Sequence, residues 1–372
     1  MKIIVGGGIS GLWLAAELKA RNIPCCVIEK SALGQGQTLA SQGMIHGGTK
    51  YALNGLLGKA TNELSAMPER WLKALSGDSL VDLRGAILER KDQLLWSVES
   101  IQSKLLGFLA SKAMRARVAR VHPSNEPAFN HPEFKGHLYR LSEPVLQLDS
   151  LIQRFSTLLD GCLFQAEVTD LLFDKGQIKG IRTNRGELEG EVILTAGEGI
   201  QSLLSQAGLA NPKMQRRPLA MAICKMKYPI PKVFGHQIGS GSKPELTIST
   251  HEINDMQYIY LGGQLAEHGA SQTDAVVCDQ AFHALAKALP WLEPQIHSIR
   301  IFRINRAELK TQYGNRPNTP FAIKSHGLTI CWPTKLALAP ALSDQVIPQL
   351  TNTKNTQLPA WPSVATGQYP WL

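Results

Sequence analysis

The first thirty residues, MKIIVGGGISGLWLAAELKARNIPCCVIEK, limit the possible folds more than any other stretch of the chain. Lys2 to Val5 is a short apolar run that stops at Gly6-Gly7-Gly8-Ile9-Ser10-Gly11, so the glycines fall where a buried parallel strand must turn into a helix. Gly6 permits the tight turn, Gly8 lets the backbone approach a pyrophosphate with no Cβ in the way, and Gly11 lets the helix pack closely on the strands. The first helical amides, at Ile9 and Ser10, face the anion at the positive end of the helix dipole. Ile9, Leu12, Trp13, Ala16 and Ala20 then recur at helical spacing, and Arg21-Asn22-Ile23-Pro24 closes the helix before the apolar run Cys25 to Ile28.

Glu29 ends that second strand, 18 residues beyond Gly11, with Lys30 beside it. A carboxylate there accepts both hydroxyls of an adenosine ribose and repels a 2′-phosphate, so NADP is not expected. A glycine motif alone is weak and equally describes a loop in an unrelated α/β protein. The strand before it, the helix after it and the acid on the next strand favour a dinucleotide.

The 372 residues allow two or three domains. With 44% hydrophobic and 19% charged residues the chain is globular rather than disordered. A net charge of +9 admits nucleic acid, an acidic membrane surface, or an anionic cofactor and substrate. The basic residues are spread along the chain, with one modest cluster at Lys112, Arg115, Arg117 and Arg120 and no RNA-binding motif. Nucleic acid is therefore not expected. Six cysteines form no CxxC pair, so neither a zinc site nor a disulfide framework is indicated, and buried thiols in a reducing compartment are the plain reading. The chain starts on its first strand and has no apolar stretch of 18 residues, which predicts a cytoplasmic protein, with peripheral attachment at the inner membrane surface left open.

After Lys30 comes a segment with five glycines between Gly34 and Gly48, rich in Ser and Thr, whose amides and hydroxyls can wrap a phosphate from the side opposite the helix. Within it the run Ala40-Ser41-Gln42-Gly43-Met44-Ile45-His46-Gly47-Gly48-Thr49-Lys50-Tyr51 resembles the corresponding stretch of the FAD-dependent glycerol-3-phosphate dehydrogenases, in the D-amino-acid oxidase superfamily. The resemblance implies that Thr38, Ser41, Gln42, Gly43 and His46 pass along the pyrophosphate and under the isoalloxazine ring.

Residues 59 to 120 read as mainly helical, with Leu64, Trp71, Leu72 and Leu75 on one face and Leu94, Leu95, Val98, Ile101, Leu105 and Leu106 on another. Between them, Ser79 to Leu88 reads as a short strand or its approach. His122, His131 and His137 lie in an irregular stretch at spacings that fit no common metal site. An amphipathic helix follows at Leu151 to Leu159, then strands around Leu163 to Leu172, Ile178 to Thr183 and Glu191 to Leu194. The last of these stops at Thr195-Ala196-Gly197-Glu198-Gly199, which resembles the second signature of flavoproteins with two dinucleotide motifs. The same resemblance puts Ala196 and Gly197 beside the cofactor and the backbone of Val168 against adenine. From Arg216-Arg217-Pro218 the chain reads as strands, then a helix Asp274 to Leu289 and a strand Ser298 to Ile304. The last eighteen residues, with Trp361 and Trp371, read as a tail packed on the surface.

The flavin must be held rigidly, meet a positive field at its N1–C2=O edge, and face an oriented substrate C–H. Thr334-Lys335-Leu336, ahead of the final helix, resembles the family's closing flavin-binding turn, and helix amides with the Lys335 charge suit that field. The glycine pair usual before this turn is replaced by Trp332-Pro333. For substrate the candidates are His46, Arg306 and Arg316. Arg316, in Tyr313-Gly314-Asn315-Arg316-Pro317, resembles the family's arginine that clamps an anionic substrate group. Arg306 either touches substrate or forms a strand-end ion pair with Glu308. His46 is open to three readings: general base, neighbour of the flavin, or core histidine. Lys50 and Tyr51 are expected to stand behind these.

The resemblance implies an α/β protein with a GR2-type, Rossmann-like FAD-binding domain and a second, α+β substrate domain on an antiparallel sheet. The expected divisions are 1–75, 142–215 and 312–350 for the first, 76–141 and 216–311 for the second, and 351–372 for a tail. The implied reaction is hydride transfer from a small anionic hydroxy or amino acid, or a polyol phosphate, to FAD, with oxygen, a quinone or another carrier as acceptor. Rival readings are an NAD-linked dehydrogenase on the same fingerprint, an RNA-acting flavoprotein supported only by the charge, and a non-catalytic FAD-binding protein.

Overall fold

The computed structural model describes residues 1–48, 63–97, 117–239, 244–351 and 357–371. Lys50, Tyr51 and the parts of the expected helices at 59–62 and 98–116 lie outside them.

The opening motif builds the centre of a six-stranded sheet. Strands β1 (Lys2–Val5), β2 (Cys25–Glu29), β8 (Leu163–Gln165), β12 (Glu191–Leu194), β18 (Phe321–Ser325) and β19 (Leu328–Trp332) lie in the order β18-β19-β12-β1-β2-β8. All pairs are parallel except β18 with β19. β1 and β12 are buried along their whole length, as continuous apolar runs in a parallel sheet should be. Helix α1 (Ile9–Ala20) covers one face with α3 (Leu148–Leu158) and α7 (Ala339–Val346). Trp13 meets Trp71 of α2 (Met67–Ser76) at 4.7 Å between ring centroids and Phe155 of α3 at 6.3 Å. The other face carries an antiparallel meander of β9 (Val168–Asp174), β10 (Gln177–Thr183) and β11 (Gly186–Glu189), with α4 (Ile200–Gln206) following β12.

The second sheet has eight strands: β4 (Gln93–Ser97), β5 (Val118–Val121), β6 (His137–Leu141), β13 (Met214–Met226), β14 (Phe234–Ile238), β15 (Leu246–Ile253), β16 (Met256–Gly262) and β17 (Ile296–Leu309). Their order is β17-β13-β16-β15-β14-β4-β6-β5, antiparallel except for β14 with β4. Helices α5 (Gln264–Gly269) and α6 (Asp274–Ala288) pack beside it, with Ala281 and Leu285 of α6 in one apolar cluster with Cys224, Ile259 and Leu261. A two-stranded pair, β3 (Leu88–Arg90) with β7 (Val145–Leu146), joins the regions.

Two local expectations are corrected, and a third is narrowed. Leu94 and Leu95 lie in strand β4 rather than on a helix; the run Gln93 to Ser97 is buried throughout, and a run apolar on both sides satisfies either period. Of the two readings for Ser79 to Leu88 the approach is the one found: residues 79–87 are bends and turns leading into the strand that begins at Leu88. The tail is no surface appendage. Thr366 bridges to Leu33 and Ser363 to Phe164, while Val364, Tyr369 and Trp371 are buried against His251, Tyr260 and Phe302.

Candidate active site

Around the glycine turn the three glycines have different surroundings. Gly6 has φ +113°, and a Cβ there would lie 2.6 Å from the Ala196 Cα. A Cβ on Gly11 would lie 2.1 Å from the Gly6 carbonyl oxygen. At Gly8, which precedes α1 in extended conformation, a Cβ would meet only Thr38 Oγ1, at 3.4 Å, and otherwise project into open space. That space is the cradle a phosphate needs. The Ile9 amide donates to Thr38 Oγ1 (3.0 Å), so Thr38 lies across the head of the helix. Glu29 accepts from the Gly7 amide (2.8 Å) and from the Ser31 amide (3.0 Å), which fixes its carboxylate at the rim. Thr195, not singled out in the sequence, donates its hydroxyl towards the Val5 and Gly6 carbonyls (3.1 and 3.0 Å) and clamps the turn from the next strand.

A single cavity of about 1010 Å³ runs from this turn to the second sheet. It brings together Gly6, Gly8, Ile9, Ser10, Glu29, Lys30, Thr38, Ser41, Gln42, His46, Val168, Ala196, Gly197, Arg306, Arg316, Thr334, Lys335 and Leu336. Gly11 and Gly43 are not in its wall. Gly11 is wedged behind the turn, and Gly43 (φ +70°) accepts from the Leu146 amide, with no room for a side chain beside the Leu146 carbonyl. The Gln42 amide reaches away to the Thr247 and Tyr260 carbonyls (3.2 and 3.0 Å), fastening the loop to the second sheet.

The departure at Trp332-Pro333 has a structural counterpart. Trp332 is wholly buried at the end of β19, and its indole N–H donates to the Gly197 carbonyl (3.2 Å), tying the closing turn to the second Ala-Gly signature. Thr334 takes the left-handed φ of +65° that a glycine would adopt without strain. Lys335, 6% exposed, then opens a helical turn at Leu336–Leu338 that leads into α7.

Arg306 does not pair with Glu308. Its Nη2 lies 3.2 Å from Glu267 Oε1 on α5, the oxygen that Arg217 Nη2 also reaches at 3.3 Å. Glu308, 1% exposed, instead lies between Arg217 (3.5 Å) and Arg316 (3.3 Å), and Arg316 donates to the Thr334 carbonyl (2.6 Å). Burial, then Arg316 and Arg217, pull the Arg306 guanidinium down to about 10. Arg217 and Glu267 line the cavity too. Neither was visible as a site residue in the sequence, because Arg217 meets Arg306 only through the long pairing of β13 with β17. His46 Nδ1 is 3.4 Å from Glu143 Oε2, and its ring is 5.2 Å from that of His236. His122, His131 and His137 go to separate partners, Ser124, the Trp291 ring and Arg120.

The family model described as FAD dependent oxidoreductase matches residues 2–335. The chain belongs to that family. A Pseudomonas aeruginosa protein described as a probable FAD-dependent oxidoreductase is 37% identical over 378 residues, covering 99% of this chain and 96% of the other. The crystal structure of a FAD dependent oxidoreductase from that organism superposes with a TM-score of 0.86 at 33% identity, covering 100% of this chain and 96% of the other. Glycine oxidase from Geobacillus kaustophilus shares the fold, with a TM-score of 0.69 at 16% identity over 95% of this chain and 96% of its own. The anaerobic glycerol-3-phosphate dehydrogenase of Haemophilus influenzae has one polypeptide that is 24% identical over 62% of this chain and 41% of its own length.

The enzyme is therefore a FAD-dependent oxidoreductase, which displaces the NAD-linked and non-catalytic readings. The residues present fit FAD: the Cβ-free cradle at Gly8, the helix amides behind it, the rim carboxylate of Glu29 and one cavity continuous to Thr334 and Lys335. Among the described residues no helix is long and apolar enough to cross a membrane.

Proposed function

We propose that this enzyme oxidises a small anionic amino or hydroxy acid, or a polyol phosphate, at the end of the cavity formed by His46, Arg306 and Arg316. The observation that carries the reading is the continuity of that cavity: the phosphate cradle and a cluster of guanidinium groups open onto the same space. FAD, when bound, supplies the hydride acceptor.

The chain's own residues supply the rest. Arg316, with Nη2 on the Thr334 carbonyl and Nε against Glu308, would turn its remaining N–H groups to a carboxylate or phosphate and so orient the substrate. Lys335 and the amides of the turn that follows place positive charge where electron density collects. His46, with the Glu143 carboxylate on Nδ1, is placed to take the proton leaving the substrate hydroxyl or amine. Leu219, Met221 and Ile304 line the same space and help exclude water. The fold shared with an enzyme named for glycine inclines the reading to amino acids. Oxygen, a quinone or another carrier would reoxidise the enzyme, and a quinone would bring it to a membrane surface.

Anaerobic mixing of the yellow protein with a panel of small amino acids, hydroxy acids and polyol phosphates tests the reading. At least one should bleach the flavin, and Arg316→Leu should weaken that substrate on the order of ten- to hundred-fold, the worth of a charge-assisted hydrogen bond of about 1.5–3 kcal/mol. A panel that leaves the flavin oxidised would count against it.

A further inference from the structure

The substrate end of the cavity holds more guanidinium than one carboxylate can use. Arg217, Arg306 and Arg316 all line it, and among the described residues the acids paired with them are Glu267 and Glu308. Arg217 and Arg306 are directly opposed across β13 and β17, a juxtaposition of like charges that destabilises a sheet unless something answers it. The answer among the described residues is thin. Both share the single oxygen Glu267 Oε1, at 3.3 and 3.2 Å, and Arg306 Nε is buried with no hydrogen-bond partner among the described residues. Each guanidinium carries about five N–H donors, so most of this donor set is uncommitted.

Arg316 and Arg217 also take different oxygens of Glu308, Oε1 and Oε2. Arg316 sits on one side of the Glu308 carboxylate, held to the Thr334 carbonyl; Arg217 sits on the other side of the same carboxylate, next to Arg306. We propose that these guanidinium groups make two anion stations and that the substrate is a short dicarboxylic acid, one carboxylate clamped by Arg316 beside the flavin turn and the second taken by Arg217 and Arg306. The inference rests on the reading of the site as one for small anions, and it makes Arg217 and Arg306 determinants of specificity. A phosphate ester would gather its oxygens at one centre and leave one station empty.

The test is a titration of the oxidised holoenzyme, reading the visible flavin spectrum, with succinate and butyrate, which share a chain length and differ in the second carboxylate. Inorganic phosphate serves as the single-centre dianion. Succinate should bind on the order of ten- to hundred-fold more tightly than butyrate and more tightly than phosphate, from the added charge-assisted hydrogen bonds. Arg306→Gln and, separately, Arg217→Gln should cut the succinate-over-butyrate preference to about three-fold, a three- to thirty-fold loss worth about 0.7–2 kcal/mol. Equal affinity of succinate and butyrate would overturn the second station and leave the small-anion reading in place. Phosphate binding as tightly as succinate would overturn the two-centre arrangement. Absence of any spectral response to all three would overturn both readings. The wild-type comparison needs no variant to fold.

Discussion

Replacing Gly8 with Ala separates cofactor binding from folding. Gly8 sits at φ −79° and ψ 178°, open to any residue, and the new methyl would meet only Thr38 Oγ1 at an ordinary 3.4 Å. Alanine reduces the freedom of the unfolded chain, worth about 0.4–1 kcal/mol, and is a poorer helix cap than glycine by a similar amount. The apoprotein should therefore keep its stability to within about 1 kcal/mol. FAD binding should not survive so well. The methyl enters the space at the head of α1, where the Ile9 amide is already held by Thr38 Oγ1, and moving a phosphate off the Ser10 amide forfeits about 1.5–3 kcal/mol, on the order of ten- to hundred-fold in affinity. With FAD at about a hundred times the wild-type dissociation constant, the cofactor adds about 2.7 kcal/mol to wild-type stability, and a hundred-fold weaker variant keeps only about 0.4 kcal/mol of it. Fluorescence titration of apoprotein with FAD, paired with thermal melts with and without it, gives both numbers. As a control, Gly11→Ala drives a Cβ to 2.1 Å from a backbone oxygen and should damage the apoprotein itself. Wild-type FAD affinity in Gly8→Ala would refute the assignment of the cradle.

Three other substitutions probe the packing. His251 is held neutral, lowered to about 4 by burial and then by Lys232. Its folded value lies below the ordinary 6.5, so its contribution is present above about pH 6.5 and is lost as the pH falls towards 4, by about 3 kcal/mol in all. Urea unfolding at about pH 7.5 and pH 4.5 should show that loss reduced in His251→Phe; an unchanged pH slope would assign it elsewhere. Trp332→Phe keeps the buried ring but removes the donor to the Gly197 carbonyl, and should cost about 1 kcal/mol and speed FAD loss, read as flavin release during dialysis. Trp371→Ala should lower unfolding free energy by about 3–5 kcal/mol in urea, whereas a surface tail would cost nearly nothing.

The parts of this molecule legible from sequence are those whose chemistry is local. The opening strand, turn, helix and acid fall within thirty consecutive residues, and their glycines are required by backbone geometry alone. The turn after β12 is local in the same way, whereas Thr334-Lys335-Leu336 contains no glycine and is reached only through resemblance. The arginine cluster is different. Arg217 and Arg306 are 89 positions apart and become neighbours only because β13 and β17 pair from Met214 to Met226, a register no local pattern announces. Glu267 enters because α5 lies beside β13. Glu143 is fixed against His46 by the return of the chain through β7. The tail misled for a related reason: prolines and aromatics without periodicity read as surface, yet Trp371 finds Tyr260 at 4.3 Å between ring centroids. Gln42 resembled a cofactor residue and lines the cavity, but its amide is spent on Thr247 and Tyr260.

The most direct test of the whole arrangement is an experimental structure of the protein with FAD bound. The account predicts the ribose at Glu29, the pyrophosphate before Ile9 and Ser10, and the ring lodged between the His46 segment and Thr334-Lys335-Leu336, its open face towards Arg316. A ring directed away from Arg316, or a pyrophosphate displaced from the head of α1, would contradict it.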